Sequence, residues 1–132
     1  MGNRINRAVI VEDGSEMRKL IHMVLGSLGA QEIVEAEDGA EALKALQASP
    51  TDVVIMDWKM AVMDGLECTR RIRAGVEGIS QQIPIILLTG NTGANAEAVA
   101  YDSGVDLYMS KPFSMKKLLA GLTAVLGKEY KI

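Results

Sequence analysis

The feature that most constrains the fold of this chain is a fivefold alternation of a short apolar run with a longer span of helical periodicity. Arg7 to Val11 is rich in β-branched residues and stops at Glu12, Asp13 and Gly14, which reads as a strand buried on both faces and then a turn. Ser15 is the predicted N-cap of a first helix, in which Met17, Leu20, Ile21, Val24, Leu25 and Leu28 recur at helical spacing until Gly29. Glu32 to Ala36 reads as a second strand, and Ala40 to Gln47 as a helix with Ala42, Leu43 and Leu46 inward, closed by Pro50. Asp52 to Met56 and Leu66 to Ala74 form the third pair, followed by a polar connection from Gly75 to Gln82. Ile85 to Leu88 is the most apolar strand, with Pro84 at its start where a missing backbone donor is tolerated. Ala94 to Tyr101 is a small-residue helix ended by Gly104, Val105 to Met109 a fifth strand, and Ser114 to Leu126 a last helix with Met115, Leu118, Leu119, Leu122 and Leu126 on one stripe. Strict strand–helix alternation predicts a parallel sheet covered on both faces, because parallel strands need crossover helices and the crossovers are right-handed.

Length and charge narrow what such a sheet does. At 132 residues the chain is expected to be a single domain over 1–132, and 48% hydrophobic with 23% charged residues suits an ordinary folded unit. A net charge of -3 with no basic run argues against direct nucleic-acid binding. The apolar stretches fall far short of the roughly 20 residues needed to cross a bilayer, so no membrane insertion is expected. Met1 to Arg7 lacks a signal-peptide apolar segment, and the only cysteine, Cys68, excludes an internal disulfide; both favour a reducing, cytoplasmic setting.

In open parallel sheets ligands bind beyond the carboxyl ends of the strands. Those ends carry Glu12 and Asp13 after the first strand, Asp57 after the third, Thr89 after the fourth and Lys111 after the fifth. Like charges about 4 Å apart repel by roughly 4 kcal/mol at an effective dielectric of 20, so three carboxylates in one crevice call for a cation. Mg²⁺, a hard ion held by few protein ligands plus phosphate, suits an all-oxygen set. The chemistry this predicts is phosphoryl transfer: Asp57 attacks phosphorus, the metal and the Lys111 ammonium neutralise the equatorial oxygens, and the Thr89 hydroxyl donates to one of them. Taken singly, adjacent acids after a strand are ordinary solvated loop residues and a strand-end Thr is an ordinary helix cap. Their joint placement on four strand ends is what carries the reading.

With those residues in place, the sequence resembles the response-regulator receiver domain of two-component signalling over about residues 6–127. The matching segments are Val9-Ile10-Val11-Glu12-Asp13, Val53-Val54-Ile55-Met56-Asp57, Leu87-Leu88-Thr89-Gly90 and Tyr108-Met109-Ser110-Lys111-Pro112-Phe113, with Met60 and Met63-Asp64-Gly65 matching the loop after the phosphoacceptor. The resemblance implies a doubly wound, flavodoxin-like (βα)5 sheet of strand order 2-1-3-4-5. It implies that Asp57 receives a phosphoryl group from a sensor histidine kinase or a histidine phosphotransfer protein. Mg²⁺ or Mn²⁺ would be held by Glu12, Asp13, Asp57 and the backbone carbonyl of Lys59, with Thr89 and Lys111 on the bound phosphoryl. It further implies that Tyr108 reports phosphorylation and that the fourth helix, fifth strand and fifth helix form a switching surface. That surface would serve a downstream protein target or a fused effector domain, in a module that catalyses only its own phosphoryl transfer and dephosphorylation. A cis Lys111–Pro112 bond, aiming the lysine inward, is expected on the same ground.

Several positions depart from the family pattern. Glu12 stands for an Asp, Ala61 for a Pro, which frees the backbone of the loop, and Gly90 for an Ala. Lys59 and Asn91, two positions after Asp57 and Thr89, are expected to set signal lifetime: Lys59 occludes the in-line water and offers no acceptor to orient it, and Asn91 is a weak water-positioner. Trp58 is expected at the surface as a fluorescent reporter of metal, and His22 as a partly exposed residue without an assigned role. Two readings from other classes stand beside the receiver. A haloacid-dehalogenase phosphatase also uses a strand-end Asp with Thr, Lys and Mg²⁺, but needs an acid where this chain has Lys59. A flavin carrier on the same fold would need a phosphate-cradling loop where Glu12 and Asp13 repel phosphate.

Overall fold

Ala8 and Ile10 point to one side of the first strand and Val9 and Val11 to the other, and all four are fully buried. A strand with two apolar faces needs helices on both, and the structure, a computed structural model describing residues 5–90 and 93–127, has them. The described residues run β1 (Arg7–Val11), α1 (Ser15–Ser27), β2 (Glu32–Ala36), α2 (Gly39–Ala48), β3 (Val53–Asp57), α3 (Gly65–Ala74), β4 (Ile85–Thr89), α4 (Ala96–Ser103), β5 (Leu107–Ser110) and α5 (Met115–Leu126). The strands form one parallel sheet in the order β2-β1-β3-β4-β5. The expected topology is therefore the observed one.

The alternation within each central strand sorts the core into two layers. Ala8, Ile10, Val53, Ile55, Ile86 and Leu88 pack under α1 and α5 through Ile21, Val24, Leu25, Leu118 and Leu122. Val9, Val11, Val54, Met56, Ile85 and Leu87 pack under α2, α3 and α4, where Leu46, Leu66 and Ile72 fill the layer. Each such Val, Leu or Ile contributes about 1.5–3 kcal/mol by burial. The winding reverses at β1, whose neighbours are β2 and β3, and the crevice opens at the carboxyl ends of β1 and β3. Among the described residues no helix is long and apolar enough to cross a membrane.

The element boundaries depart from the sequence reading where side chains compete with backbone. Ser15 is the first residue of α1 and not its cap; Gly14, with no side chain to cap with, holds the cap position, and its N–H donates to the Glu12 carboxylate at 2.9 Å. The third strand begins at Val53, since the Asp52 carboxylate accepts the Asn6 and Arg7 N–H groups at 2.8 and 3.1 Å. The fifth begins at Leu107, since Asp106 is held by the Ile85 N–H and by Arg73. The fourth helix starts at Ala96, after a turn in which the Ala96 N–H bonds the Gly93 carbonyl. Asp38, Asp64 and Ser114 cap α2, α3 and α5 through their side chains.

The loop from β3 to α3 is the most constrained turn. The Gly65 N–H returns to the Trp58 carbonyl at 2.8 Å, and a Cβ on Gly65 would meet Leu87 Cδ1 at 2.8 Å and press on the Asp57 backbone. The loop also docks on α2, where the Gly39 N–H donates to the Met63 carbonyl at 3.1 Å. Closing it forces Val62 to φ 68°, with its side chain 83% exposed. Val62 is the centre of a three-residue turn closed by the Met63 N–H on the Ala61 carbonyl at 2.7 Å, a positive-φ conformation that strains a β-branched residue and that Gly adopts freely. Val62→Gly is therefore expected to stabilise the protein by about 1 kcal/mol, read as a higher urea midpoint at unchanged slope. An unchanged or lower midpoint would show that the loop carries no such strain.

Candidate functional site

Each candidate side chain is placed by the strand before it. β1 delivers Glu12 and Asp13, β3 ends in Asp57, β4 ends in Thr89, and Lys111 follows β5. The register pairs Asp57 with Leu88 and Thr89 with Ser110, and the Lys111 N–H donates to the Thr89 carbonyl at 2.8 Å, so the strand ends reach the crevice at one level. The Lys111–Pro112 peptide bond is cis, as expected.

Glu12, Asp13 and Asp57 offer carboxylate oxygens that all lie within 4.8 Å of one another. Glu12 is 2% and Asp57 8% exposed, while Asp13 is open to solvent. Lys111 Nζ sits between the two buried acids, 2.9 Å from Glu12 Oε1 and 3.2 Å from Asp57 Oδ2. Burial raises the Asp57 pKa above the usual carboxylate range, and the charge of Glu12 adds to this, against the lowering effect of Lys111 and the Trp58 amide. Burial works the other way on the Lys111 ammonium, yet its hydrogen bond to Glu12 and the charge of Asp57 outweigh it and leave its pKa raised. The crevice thus holds three carboxylates and one ammonium, an excess of negative charge on oxygen donors that fits a hard divalent cation.

The other candidates take different places. Thr89 is buried at 1% exposure at the end of β4. Tyr108 is half-buried on β5 and packs against the α2–α3–α4 layer. Lys59 is exposed on the loop after Asp57, and Asn91 lies outside the described residues. Trp58, expected at the surface, is half-buried against the core layer because its N–H is held by the Leu88 carbonyl at 2.8 Å and its carbonyl by Gly65. His22 is exposed on α1. Cys68 is fully buried, its thiol pushed up to about 12 by burial and its Sγ 3.7 Å from the Gly39 carbonyl, so it packs and does no chemistry.

Arg18 was not singled out from the sequence. It stands one turn into α1, where its guanidinium donates to the Glu12 carbonyl at 2.9 Å and pairs with Glu35 at 3.2 Å. The signal for it is positional: a basic residue in the first turn of the helix after an acidic strand end folds back over that end.

A raised carboxylate pKa makes the ionised form a burden on the fold. The fold's preference for protonated Asp57 is fully felt below the unfolded pKa and is lost as pH rises through the higher folded value. In metal-free protein, Asp57→Asn is expected to have a higher urea midpoint than wild type at pH 7.5, with the gap closing as pH falls into the carboxylate range. A variant less stable than wild type at pH 7.5 would mean that Lys111 more than compensates the buried charge.

A family model for the response regulator receiver domain matches residues 8–123. The chain is 38% identical over 122 residues to the chemotaxis protein CheY1 of Helicobacter pylori strain J99, covering 92% of this chain and 97% of that protein. It is 37% identical to a chemotaxis protein CheY homolog of Campylobacter jejuni, covering 92% of each. Among solved structures, chemotaxis protein CheY4 of Vibrio cholerae superposes with a TM-score of 0.81 at 30% identity, covering 92% of this chain and 99% of that one. The receiver domain of a sensor histidine kinase from Pseudomonas aeruginosa PAO1, solved with a magnesium ion coordinated in its active-site cleft, superposes with a TM-score of 0.80 at 30% identity, covering 93% and 98%.

Proposed function

Because the chain belongs to the response regulator receiver domain family, we propose that it is a phosphorylation-controlled signalling module in which Asp57 accepts a phosphoryl group from a phosphohistidine. The donor is a sensor histidine kinase or a histidine phosphotransfer protein. The observation that carries this reading is the Lys111 ammonium lying between Glu12 and Asp57, with Asp13 in the same cluster. The cation, Mg²⁺ or Mn²⁺, would be held by the carboxylates of Glu12, Asp13 and Asp57 and by the Lys59 backbone carbonyl. When bound it supplies positive charge that screens the carboxylates from one another and from the incoming phosphoryl oxygens.

The protein's own groups do the rest. An Asp57 carboxylate oxygen forms the new P–O bond as the P–N bond to the donor histidine breaks, and the electron pair leaves on the imidazole nitrogen, which takes a proton. Lys111 moves from its carboxylate partners to a phosphoryl oxygen, and the Thr89 hydroxyl donates to another. Both residues are tied to the α4–β5 region, since α4 follows Thr89 and Lys111 follows β5. The output surface is α4, β5 and α5, with Tyr108 as its indicator, serving a downstream protein target or a fused effector domain. The chain turns over no free metabolite; it catalyses only its own phosphorylation and dephosphorylation.

Incubation with a small phosphodonor such as acetyl phosphate and Mg²⁺ is expected to raise the intact mass by one phosphoryl group, and chelation of the metal or Asp57→Asn to abolish the gain. An equal adduct on the Asn variant would move the acceptor elsewhere. Lifetime rests on Lys59, exposed two positions after the nucleophile. Its long stem covers the in-line approach of water, and an ammonium offers no acceptor to orient that water. Lys59→Asn is expected to speed decay of the phosphorylated protein severalfold, and Lys59→Asn with Asn91→Glu to speed it further. Decay rates unchanged in both would remove Lys59 from control of the signal.

A further inference from the structure

Among the described residues β5 is an edge strand paired with β4 alone, and an edge strand leaves backbone donors without a ladder partner. At Tyr108 the backbone N–H donates to the hydroxyl of Tyr101, on α4, at 3.1 Å. Tyr101 is 41% exposed, so its side chain is held by partial packing together with this bond.

α4 needs such a bond more than its neighbours do. It is eight residues long, has no side-chain N-cap, and buries only Ala96, Ala100 and Ser103. α1, by contrast, buries Ile21, Val24 and Leu25. With burial stabilising by about 0.8 kcal/mol per CH₂, α4 is the most weakly anchored of the helices described here. Its C-terminal end is stapled, since Arg73 donates to the Gly104 carbonyl at 2.8 Å and to Asp106 at 2.9 Å. Beyond that staple, Tyr101 is the α4 side chain that reaches the β5 backbone among the bonds described. Both ends of the bond lead to residues that move in the proposed reaction. Tyr101 lies on the helix after Thr89, and Tyr108 lies three residues before Lys111.

We propose that the Tyr101 hydroxyl is a latch that holds α4 to the β5 backbone while Lys111 is paired with Glu12 and Asp57, and that it opens when Lys111 leaves for a phosphoryl group. This rests on the reading of Asp57 as phosphoacceptor and adds a chain-specific element to it. In a two-state element, anything that stabilises one arrangement opposes the ligand that favours the other. The latch therefore lowers the apparent affinity of the site for a phosphoryl analogue and keeps the Tyr108 N–H protected from exchange.

The experiment measures hydrogen exchange at the Tyr108 amide by NMR, for wild type and Tyr101→Phe, each with and without Mg²⁺ and beryllofluoride. Tyr101→Phe keeps the ring and removes only the hydroxyl. In protein without beryllofluoride, Tyr101→Phe is expected to speed Tyr108 exchange by about tenfold, the loss of one net hydrogen bond of about 1.4 kcal/mol. Equal exchange in the two proteins would show that no latch exists, whatever Asp57 does. With beryllofluoride, wild-type exchange is expected to rise towards the variant's rate, the variant is expected to change little, and the variant is expected to bind beryllofluoride more tightly by severalfold. If beryllofluoride binds, seen by its fluorine resonance, but leaves wild-type Tyr108 exchange unchanged, Tyr101 is a static brace and the proposed coupling is wrong. If beryllofluoride does not bind at all, the phosphoacceptor reading fails and the coupling falls with it, while the exchange comparison without it still decides whether the latch exists.

Discussion

Everything in this molecule is arranged around one electrostatic problem: Glu12 and Asp57 are buried side by side with Asp13 at their edge, and one ammonium, Lys111, stands between them. Burial holds the Asp57 carboxyl above the ordinary carboxylate range, and the charge of Glu12 beside it adds to this. The arrangement persists because the groups are attached to strands that cannot give way. β1, β3 and β4 are buried on both faces, and their registers leave little freedom for a strand end to retreat from the crevice. An excess of negative charge on oxygen donors, held on a rigid frame, suits a hard divalent cation.

The two ends of the sheet are built on opposite lines. At the amino end the charges are paired: Arg7 donates to the Ala45 and Ser49 carbonyls and the Thr51 hydroxyl and lies against Glu32, its Nε making an ion pair without a hydrogen bond, and Asp52 takes two backbone N–H groups. At the carboxyl end the charge is unbalanced, Val62 is strained at φ 68°, and α4 is held by small buried side chains, the Arg73 bond to its C-terminal carbonyl and one tyrosine hydroxyl. Stability concentrated at one end lets the other keep the unbalanced charge and loosely held parts that a switch requires.

Much of this was legible in the residues. The strand runs are so apolar, and the helical stripes so regular, that element type and order followed from periodicity alone. Glu12, Asp13, Asp57, Thr89 and Lys111 all stand at strand ends, and that position marks them in the sequence. What escaped were contacts made by side chains folding back on the backbone. Gly14, its N–H on the Glu12 carboxylate, stands at the cap position expected of Ser15, Asp52 and Asp106 each delay a strand, and Arg18 covers the Glu12 carbonyl. None of these has a periodic signature, because each depends on how far one side chain reaches across a turn.

The sequence by itself determined the class of fold and the identity of the chemical groups, since hydrophobic period and strand-end chemistry are local properties of the chain. Only the tertiary structure decided which groups touch. Lys111 is 99 residues from Glu12 and 54 from Asp57, and its placement between them follows from strand order, register and the turn after β5 taken together. The same holds for Tyr101 and Val62: one meets the Tyr108 backbone because α4 lies beside β5, and the other is strained because Gly65 must close on Trp58. Distances of that kind are set by packing the whole core, and no stretch of sequence contains them.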